Sequence, residues 1–371
     1  MNFSIFFRLL CIISYFFACG QSSSKQEKPE QENKVNYSRQ ETKNSNYLKL
    51  NKHEILDREG TGMVAFTCLI PEGWNVKDQL YWEYNDATLP IRYKGLFENP
   101  PQNLQINSFP DVRAVYSSGP TGTSGYPPPR GILQGLKELV KKERGNIQFK
   151  ITEEKRIHQS PSQSGYLQGS AIQSNSESGF LRIEYQENNQ TLEEEFYGQL
   201  DISNMSSQGM VNLHSTIWAA NNLYSVKAPK GKLEACRKIA LTIKASSRPT
   251  LQFYNKFIQV TKILSDVVYQ RIYQAGQISK IISQTNDQIS KSISDSYWQT
   301  QKSNERVNNQ FSDYVRGVDR YTDGNQTLIQ LPSGYQNAWV NDRGEYILSE
   351  SSSFNPNTEF NGNWKVLQKN E

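Results

Sequence analysis

The stretch GFLRIEYQENNQTLEEEFYGQL, residues 179–200, contains two runs of alternating apolar and polar side chains. Alternation with a period of two is typical of a strand with one buried face, so the stretch predicts a β-hairpin. The second run carries three consecutive carboxylates, Glu193 to Glu195. Because neighbours on a strand point to opposite faces, we expect most of these carboxylates to be solvated rather than to act together.

Short alternating runs continue on both sides of this hairpin and predict further strands. They lie at residues 63–70, 79–84, 89–96, 104–109, 111–118, 146–154, 164–173, 210–220 and 223–229. Two segments, 131–145 and 232–246, instead place their apolar residues on one helical stripe. Strands in series with only two helices indicate an α+β fold, with an antiparallel sheet and two amphipathic helices, over residues 51–250.

Residues 251–320 carry apolar side chains at mostly three- and four-residue steps, from Phe257 to Ile293. This spacing predicts a long helical segment, either one helix or two in series with a break near Gly276 or at Ser283 to Asp287. Its apolar face either packs on the preceding domain or forms a coiled coil with a partner. Irregular spacing and few heptad charge pairs favour packing.

Residues 321–371 are rich in Gly, Asn and aromatic residues, which predicts a small β-rich module. The tail with RGV (316–318), LPSGY (331–335), AW (338–339), GEYILS (344–349) and NPN (355–357) resembles a tail of uncharacterised bacterial envelope proteins, a resemblance that implies no activity. Tyr335, Trp339, Tyr346 and Trp364 either line a binding surface or form the core of the module. A small module needs its large side chains inside, which favours the core.

The segment GMVAFTCLIPEGW (62–74), together with the closing helix at 232–246, resembles the α/β/α sandwich of PsbP, a photosystem II extrinsic subunit, and its bacterial relatives. That resemblance implies a role in docking and scaffolding, although a fold alone does not assign a function.

The N-terminus has one basic residue, Arg8, in an apolar run that ends at Ala18-Cys19 and then turns polar. Leu9 to Ala18 is too short to span a bilayer, which needs about 20 residues. The run Phe16-Phe17-Ala18-Cys19 resembles the lipobox of bacterial lipoproteins, although the family prefers Leu where Phe16 stands. The resemblance implies that residues 1–18 are a signal peptide and that Cys19 is acylated, for example with palmitate. The alternative is a plain secretory signal.

Residues 19–50 contain almost nothing that can be buried, so we expect a disordered tether. Together with the lipid anchor, this predicts a membrane-anchored protein of the cell envelope, at the outer membrane, on its periplasmic or surface side. In an oxidising compartment Cys68 and Cys236 either form a disulfide or remain two separately buried thiols, and the sequence leaves both open.

Catalytic patterns are scarce in the chain. His53, His158 and His214 lie in different segments, none near a Cys or at metal-ligand spacing, and no nucleophile-elbow, Walker or dinucleotide motif opens a helix. The glycine-rich segment 119–131 lacks the lysine of a phosphate loop and holds three prolines, so we expect a surface loop. Residues 227–248 carry seven basic side chains and suggest a patch for anionic lipid or, more simply, a solvated helix face.

Composition limits the function further. The 371 residues carry 41 basic and 37 acidic side chains, a net charge of +4, which is too balanced to indicate a nucleic-acid partner. Mean hydropathy is −0.70, yet 6 Trp, 20 Tyr and 16 Phe exclude general disorder.

We therefore predict a non-enzymatic envelope lipoprotein that binds or scaffolds an envelope protein or glycan, without metal or cofactor. The alternative is a hydrolase of envelope polymers with a carboxylate pair drawn from Glu184 and Glu193 to Glu195.

Overall fold

The computed structural model describes residues 47–370 apart from 84–85, 87–88, 120–121, 161, 168–169, 208–212, 271–277, 284, 303–316 and 323–327. Of these residues, 52% lie in strands and 24% in helices. The predicted α+β class with a long helical segment is therefore wrong, and the fold is β-rich with three sheets.

All strands pair in antiparallel fashion, within sheets of six, ten and three strands. In chain order the strands are β1 (Tyr47–Leu56), β2 (Val64–Pro71), β3 (Asn75–Trp82), β4 (Ile91–Asn99), β5 (Leu104–Ser108), β6 (Val112–Gly119), β7 (Gly122–Gly125), β8 (Phe149–Gln159), β9 (Gln163–Leu167), β10 (Ser170–Glu187), β11 (Gln190–Ser207), β12 (Leu213–Pro229), β13 (Arg248–Pro249), β14 (Val318–Thr322), β15 (Leu328–Pro332), β16 (Asn337–Val340), β17 (Tyr346–Ser349), β18 (Lys365–Val366) and β19 (Gln368–Asn370).

The helices of the described residues are shorter than the sequence predicts for the middle of the chain. They are α1 (Ile132–Arg144), α2 (Leu233–Ser246), α3 (Leu251–Gln270), α4 (Ile278–Ser283), α5 (291–302) and α6 (Pro356–Glu359).

The ten-stranded sheet has the order β3-β4-β5-β12-β11-β10-β8, with β6 and β7 continuing from β12 and with β9 on β10. Its central strands β10, β11 and β12 have 18, 18 and 17 residues, longer than the usual range of about 3 to 10. The predicted hairpin is confirmed: Glu187 pairs with Gln190. Asn188 and Asn189, at φ 50° and 60°, form the turn with the left-handed backbone that two-residue hairpin loops require.

Helix α1 covers one face of this sheet, and α2 covers the other. On the first face Ile132, Leu136 and Val140 of α1 pack in one core with sheet residues that include Leu181 and Phe196. On the second face the buried residues of α2 join a larger core with Phe180, Tyr197 and Val226. Helix α1 packs closely on β11, since a Cβ added at Gly198 of β11 would lie 3.2 Å from the Ile132 side chain. Both helices that the sequence predicts are therefore present and amphipathic.

Two consecutive carboxylates of β11 anchor these helices from inside the sheet. Glu194, fully buried, accepts two hydrogen bonds from Arg144 of α1, at 2.8 and 2.9 Å. Glu195, 1% exposed, accepts two bonds from Arg237 of α2, each 2.8 Å long, and further bonds from Arg182 of β10. The alternation of faces is as predicted, but the expectation of solvated carboxylates is wrong for this pair.

Helix α3 packs its apolar side chains into the larger core, which is the packing alternative of the sequence analysis. Phe253, Phe257, Val260 and Leu264 are all buried there. After α4 ends at Ser283 the chain turns, and Lys256 of α3 donates to Thr285 at 2.8 Å. The chain thus folds back on α3, and the coiled-coil alternative is wrong.

The C-terminal strands complete two sheets. β14 pairs with β15 and β19, whereas β17 pairs with β1 in the six-stranded sheet of order β13-β2-β1-β17-β16-β18. The pair of β17 and β1 places Leu348 opposite Leu48 and brings the two ends of the described chain together.

Replacing Glu195 with Ala should destabilise the fold by about 3 kcal/mol or more, because it leaves two partly buried arginines without their carboxylate. The free energy of unfolding in urea measures this. Glu138→Ala, on the exposed side of α1, is the matched control and should stay within about 0.5 kcal/mol of the wild type. A Glu195→Ala protein as stable as this control would contradict the anchoring role.

Candidate functional site

The acidic cluster suggested for catalysis is divided between ion pairs. Glu194 also accepts from Ser225 at 2.6 Å and from Tyr185 at 3.1 Å, on the α1 face. Glu184 pairs with Lys230 at 2.7 Å, and Glu193 accepts from the backbone N–H of Gly231. Glu194 and Glu195 lie on opposite faces of β11, whereas Glu184 and Glu193 are directly opposite each other on β10 and β11 and both contact the turn at residues 230–231.

The charge state of Glu195 also opposes a role as general acid. Burial by itself would raise the pKa of Glu195, but hydrogen bonds and charge from Arg237, with further bonds from Tyr197 and Arg182, hold it below its usual value. A general acid needs a raised pKa near neutral pH. Glu195 is instead held in its charged form by hydrogen bonds from Arg182, Arg237 and Tyr197.

His53 belongs to a polar cluster that sequence reasoning missed. Its Nε2 lies 2.8 Å from Oδ2 of Asp78, and it stands directly opposite Cys68 in the pair of β1 and β2. Asp78 in turn is opposite Gly95, against which the Tyr93 hydroxyl lies. The interpretation of His53 as remote from any cysteine is therefore wrong, because β-pairing joins positions that no local motif connects.

This cluster has the residue types of a cysteine hydrolase but not the chemistry. Burial, with a smaller contribution from the charge of Asp78, raises the pKa of Cys68 to about 12. A nucleophilic cysteine needs a lowered pKa and access to solvent, whereas Cys68 is 3% exposed. Across the described ranges, no group of His, Cys, Asp or Glu is arranged to hold a metal ion. The cluster is a polar contact between β1, β2, β3 and β4.

Both cysteines of the proposed disulfide are buried and free. The Cys236 thiol lies 3.7 Å from the carbonyl oxygen of Lys227 and 3.9 Å from that of Gln105. Burial raises the pKa of Cys236 to about 12. The structure thus has the arrangement of two separately buried thiols.

The aromatic residues of the C-terminal region lie mostly inside. Trp339 and Trp364 are 5% and 4% exposed and share a core with Ile347. Tyr335 and Tyr346 are half-buried against the neighbouring core around Leu331. The four side chains therefore pack in two cores and do not form a continuous outer surface.

The basic residues between 227 and 248 are largely engaged in contacts. Lys227 pairs with Glu187 at 3.2 Å, Arg237 with Glu195, and Lys238 with Glu234. Lys244 lies 4.0 Å from the ring centroid of Tyr224, a cation–π contact against the sheet. Few of these positive charges are therefore available to bind an anionic surface.

The other two histidines lie far from any such cluster. His158 is exposed beside Ser160, at 3.2 Å. His214 is exposed on β12.

A different surface lies where β6, β10, β11 and β12 extend past the helices. We call residues 113–118, 171–176, 201–206 and 214–217 the outer sheet. Every one of these side chains is exposed or half-buried, although neighbours along each strand point to opposite faces. Both faces of the outer sheet therefore meet solvent, which is unusual because antiparallel sheets normally bury one face.

Hydrogen bonds between side chains on neighbouring strands hold the outer sheet in register. Ser117 bonds to Ser215 at 3.1 Å, Ser174 to Ser203 at 2.8 Å, and Thr216 donates to Asn204 at 2.8 Å. The glycine-rich segment 119–131 borders it: Gly122–Gly125 forms β7, and Trp218 donates to the Tyr126 carbonyl at 2.8 Å. This broad polar surface is the strongest candidate for binding in the described chain.

Comparison with known proteins adds no argument to the geometry described above. No family model matches the chain, and no curated protein matches it. The solved structure of LpqN, involved in cell envelope biogenesis of Mycobacterium tuberculosis, is similar at a TM-score of 0.20 and 12% identity. The similarity covers 54% of this chain and 91% of LpqN, but a TM-score this low supports no argument. The resemblances to PsbP and to the envelope-protein tail are not confirmed.

The N-terminal predictions lie mostly outside the described residues. These are the signal peptide 1–18, the acylated Cys19 and most of the tether 19–50. The predicted tether overlaps β1 at residues 47–50, where Leu50 is fully buried. No helix within the described ranges is long and apolar enough to cross a membrane.

Cys68 and Cys236 should fail to react with a thiol reagent at pH 8 in the native protein, because both are buried and their pKa values are raised to about 12. After denaturation in urea without reductant, both should react. The variants Cys68→Ala and Cys236→Ala should each lose one of these two thiols. A disulfide would be shown instead if neither residue reacted until reductant was added.

The stability of the protein should rise with pH from about 7 to 8 because of Lys244. Above pH 8, ionisation of the Cys68 and Cys236 thiols in the unfolded chain, whose pKa values are raised to about 12 in the folded state, opposes the rise. Burial lowers the pKa of Lys244 to about 7, with Asp111 partly offsetting the effect, whereas an unfolded lysine has a pKa of about 10.4. Between these values the unfolded chain binds more protons, so raising the pH favours the folded state.

Urea unfolding at pH 6, 7, 8 and 9 tests this expectation. Lys244→Met should reduce the rise, whereas Lys141→Met, at an exposed position of α1, should follow the wild type. Parallel curves for all three proteins would contradict the assignment.

Proposed function

We propose that this protein is a lipid-anchored lipoprotein of the bacterial cell envelope, at the outer membrane, with a non-enzymatic binding or scaffolding role. The membrane is reached through acylated Cys19, and the partner is an envelope protein or a glycan. The outer sheet is the binding surface, and its two solvated faces are the observation that carries the proposal.

The shape of the outer sheet supports binding rather than a purely structural role. A sheet is normally stabilised by burying one face, and the strands β10, β11 and β12 already do so between α1 and α2. Their extension into the outer sheet adds mainly exposed surface, although Ala114 and Ile202 still pack against the core that contains α1. Such an extension serves to present side chains outside the globular part.

The anchor is supported by sequence alone. The Ala18-Cys19-Gly20 step ends the apolar run, and the polar residues that follow offer a flexible connection. A random coil of about 30 residues spans roughly 30 Å, enough to separate the fold from the lipid head groups.

The hydrolase alternative would have to use Glu184 and Glu193, which are directly opposite each other but are both engaged by the turn at residues 230–231. Its candidate carboxylates are each held by a cation or a backbone donor, and Glu195 has a lowered pKa. The binding role therefore agrees better with the described side chains.

Cells grown with an alkyne analogue of palmitate should label the wild-type protein and not Cys19→Ser. Cys11→Ser is the matched control, because Cys11 lies inside the predicted signal peptide and its loss should leave the label unchanged. An unlabelled wild type, or a Cys19→Ser protein that keeps its label, would reject the anchor.

A photo-crosslinking residue placed at Ala171 should capture envelope material in intact cells, since Ala171 is exposed on the outer sheet. The same residue at Glu138, exposed on α1, provides the comparison. Equal capture at both positions, or none at Ala171, would remove the support for this binding surface.

A further inference from the structure

One face of the outer sheet carries a continuous polar row across four strands. Tyr116 of β6 is opposite Thr216 of β12, Thr216 is opposite Asn204 of β11, and Asn204 is opposite Gln173 of β10. Opposite residues in antiparallel strands share a face, and strands lie about 4.8 Å apart, so the row extends over about 14 Å. We call these four residues the polar row.

The rows on either side carry no formal charge at neutral pH. Toward the strand ends lie Ser118, His214, Ser206 and Ala171, and toward the core lie Ala114, Trp218, Ile202 and Asn175. Farther in on the same face is Glu177, which is 9% exposed. It accepts from the backbone of Ile132 at 2.8 Å and pairs with Arg156 at 3.2 Å. The polar row therefore presents amides, hydroxyls and a phenol on a surface that has no net charge.

We infer that the polar row binds a neutral glycan chain. Anionic lipids and nucleic acids are held by clusters of Lys and Arg, which these rows lack. Protein partners are usually held by large apolar or arginine anchors that become buried at the centre of the interface. A neutral polyol instead needs many donors and acceptors on a flat surface, and amide and hydroxyl side chains supply both. This inference rests on the proposed binding function and specifies its ligand class.

An exposed aromatic ring borders the same surface. Tyr126 is 76% exposed, and its backbone carbonyl accepts a hydrogen bond from the Trp218 side chain. Trp218 lies two residues from Thr216 along β12 and therefore on the same face of the sheet. A phenol ring offers an apolar surface and a hydroxyl at once, which suits the C–H faces and hydroxyls of a sugar. The segment around Tyr126 is thus tied to the face that carries the polar row.

The opposite face of the outer sheet is a poorer candidate for a glycan. Its serines bond to one another in the pairs Ser174–Ser203 and Ser117–Ser215, as Thr216 and Asn204 of the polar row also do. The two faces differ in their other members, because the opposite face carries Ile172, Ile217 and the 49% exposed Val115, whereas the polar row adds the amide of Gln173 and the phenol of Tyr116. This contrast provides a control surface on the same four strands.

The inference is tested by mixing the full-length protein with insoluble chitin or cellulose and measuring the protein that remains in solution. Alginate serves as an acidic glycan for comparison. We expect binding to at least one neutral polymer. The double variant Asn204→Ala/Gln173→Ala should raise the Kd at least tenfold. The matched variant Ser203→Ala/Ser174→Ala alters neighbouring positions on the opposite face and should change the Kd less than twofold.

Tyr126→Ala provides a second test that does not depend on the integrity of the sheet, because this side chain is largely exposed. It should weaken binding by severalfold. The inference is overturned if neither neutral polymer binds, if alginate is preferred, or if both double variants lose affinity equally. Such a result would leave the palmitate labelling and the crosslinking at Ala171 unaffected, so failure of the ligand class and of the proposed function can be told apart.

Discussion

The structure depends on a pair of adjacent carboxylates that point to opposite faces of the central sheet. Glu194 holds α1 through Arg144, and Glu195 holds α2 through Arg237. Buried charges of this kind contribute little net stability compared with apolar residues, but removing one partner is costly. The pair therefore acts mainly to specify where each helix sits along β11.

Several buried titratable groups keep one protonation state at neutral pH. Burial raises the pKa of Tyr197 and Tyr224, whose rings stack at 4.7 Å beside Glu195, so both stay neutral. Cys68 and Cys236 are likewise held as thiols. The titratable groups inside the fold stabilise contacts between layers, and the surfaces available for recognition lie beyond them.

Local patterns predicted the parts of the fold that depend on neighbours in sequence. The hairpin at 179–200 and the helices at 131–145 and 232–246 follow from periodicity, which reflects burial of one face. The partners of Glu194 and Glu195 are 50 and 42 residues away, and only the packed sheet brings them together. The same holds for His53 with Asp78 and for β17 with β1.

The outer sheet could be predicted only in part. Its residues 113–118, 171–173 and 214–217 lie within alternating runs that predict strands. Residues 174–176 and 201–206 lie outside those runs, because polar side chains such as those of Ser174, Ser176, Ser203 and Asn204 occupy positions on both faces and remove the period-two signal. The helical content of residues 251–320 was overestimated, although the break predicted at Ser283 to Asp287 is confirmed, since α4 ends at Ser283 and α5 begins at residue 291.

The continuity of β10, β11 and β12 has an evolutionary consequence. Because these strands are secured by the core at one end, substitutions in the solvated part alter the surface while costing little folding stability. The sequence of the polar row is therefore free to diverge between lineages faster than the core, much as binding loops do on other scaffolds. Relatives with the same core should differ most in what this end of the sheet recognises.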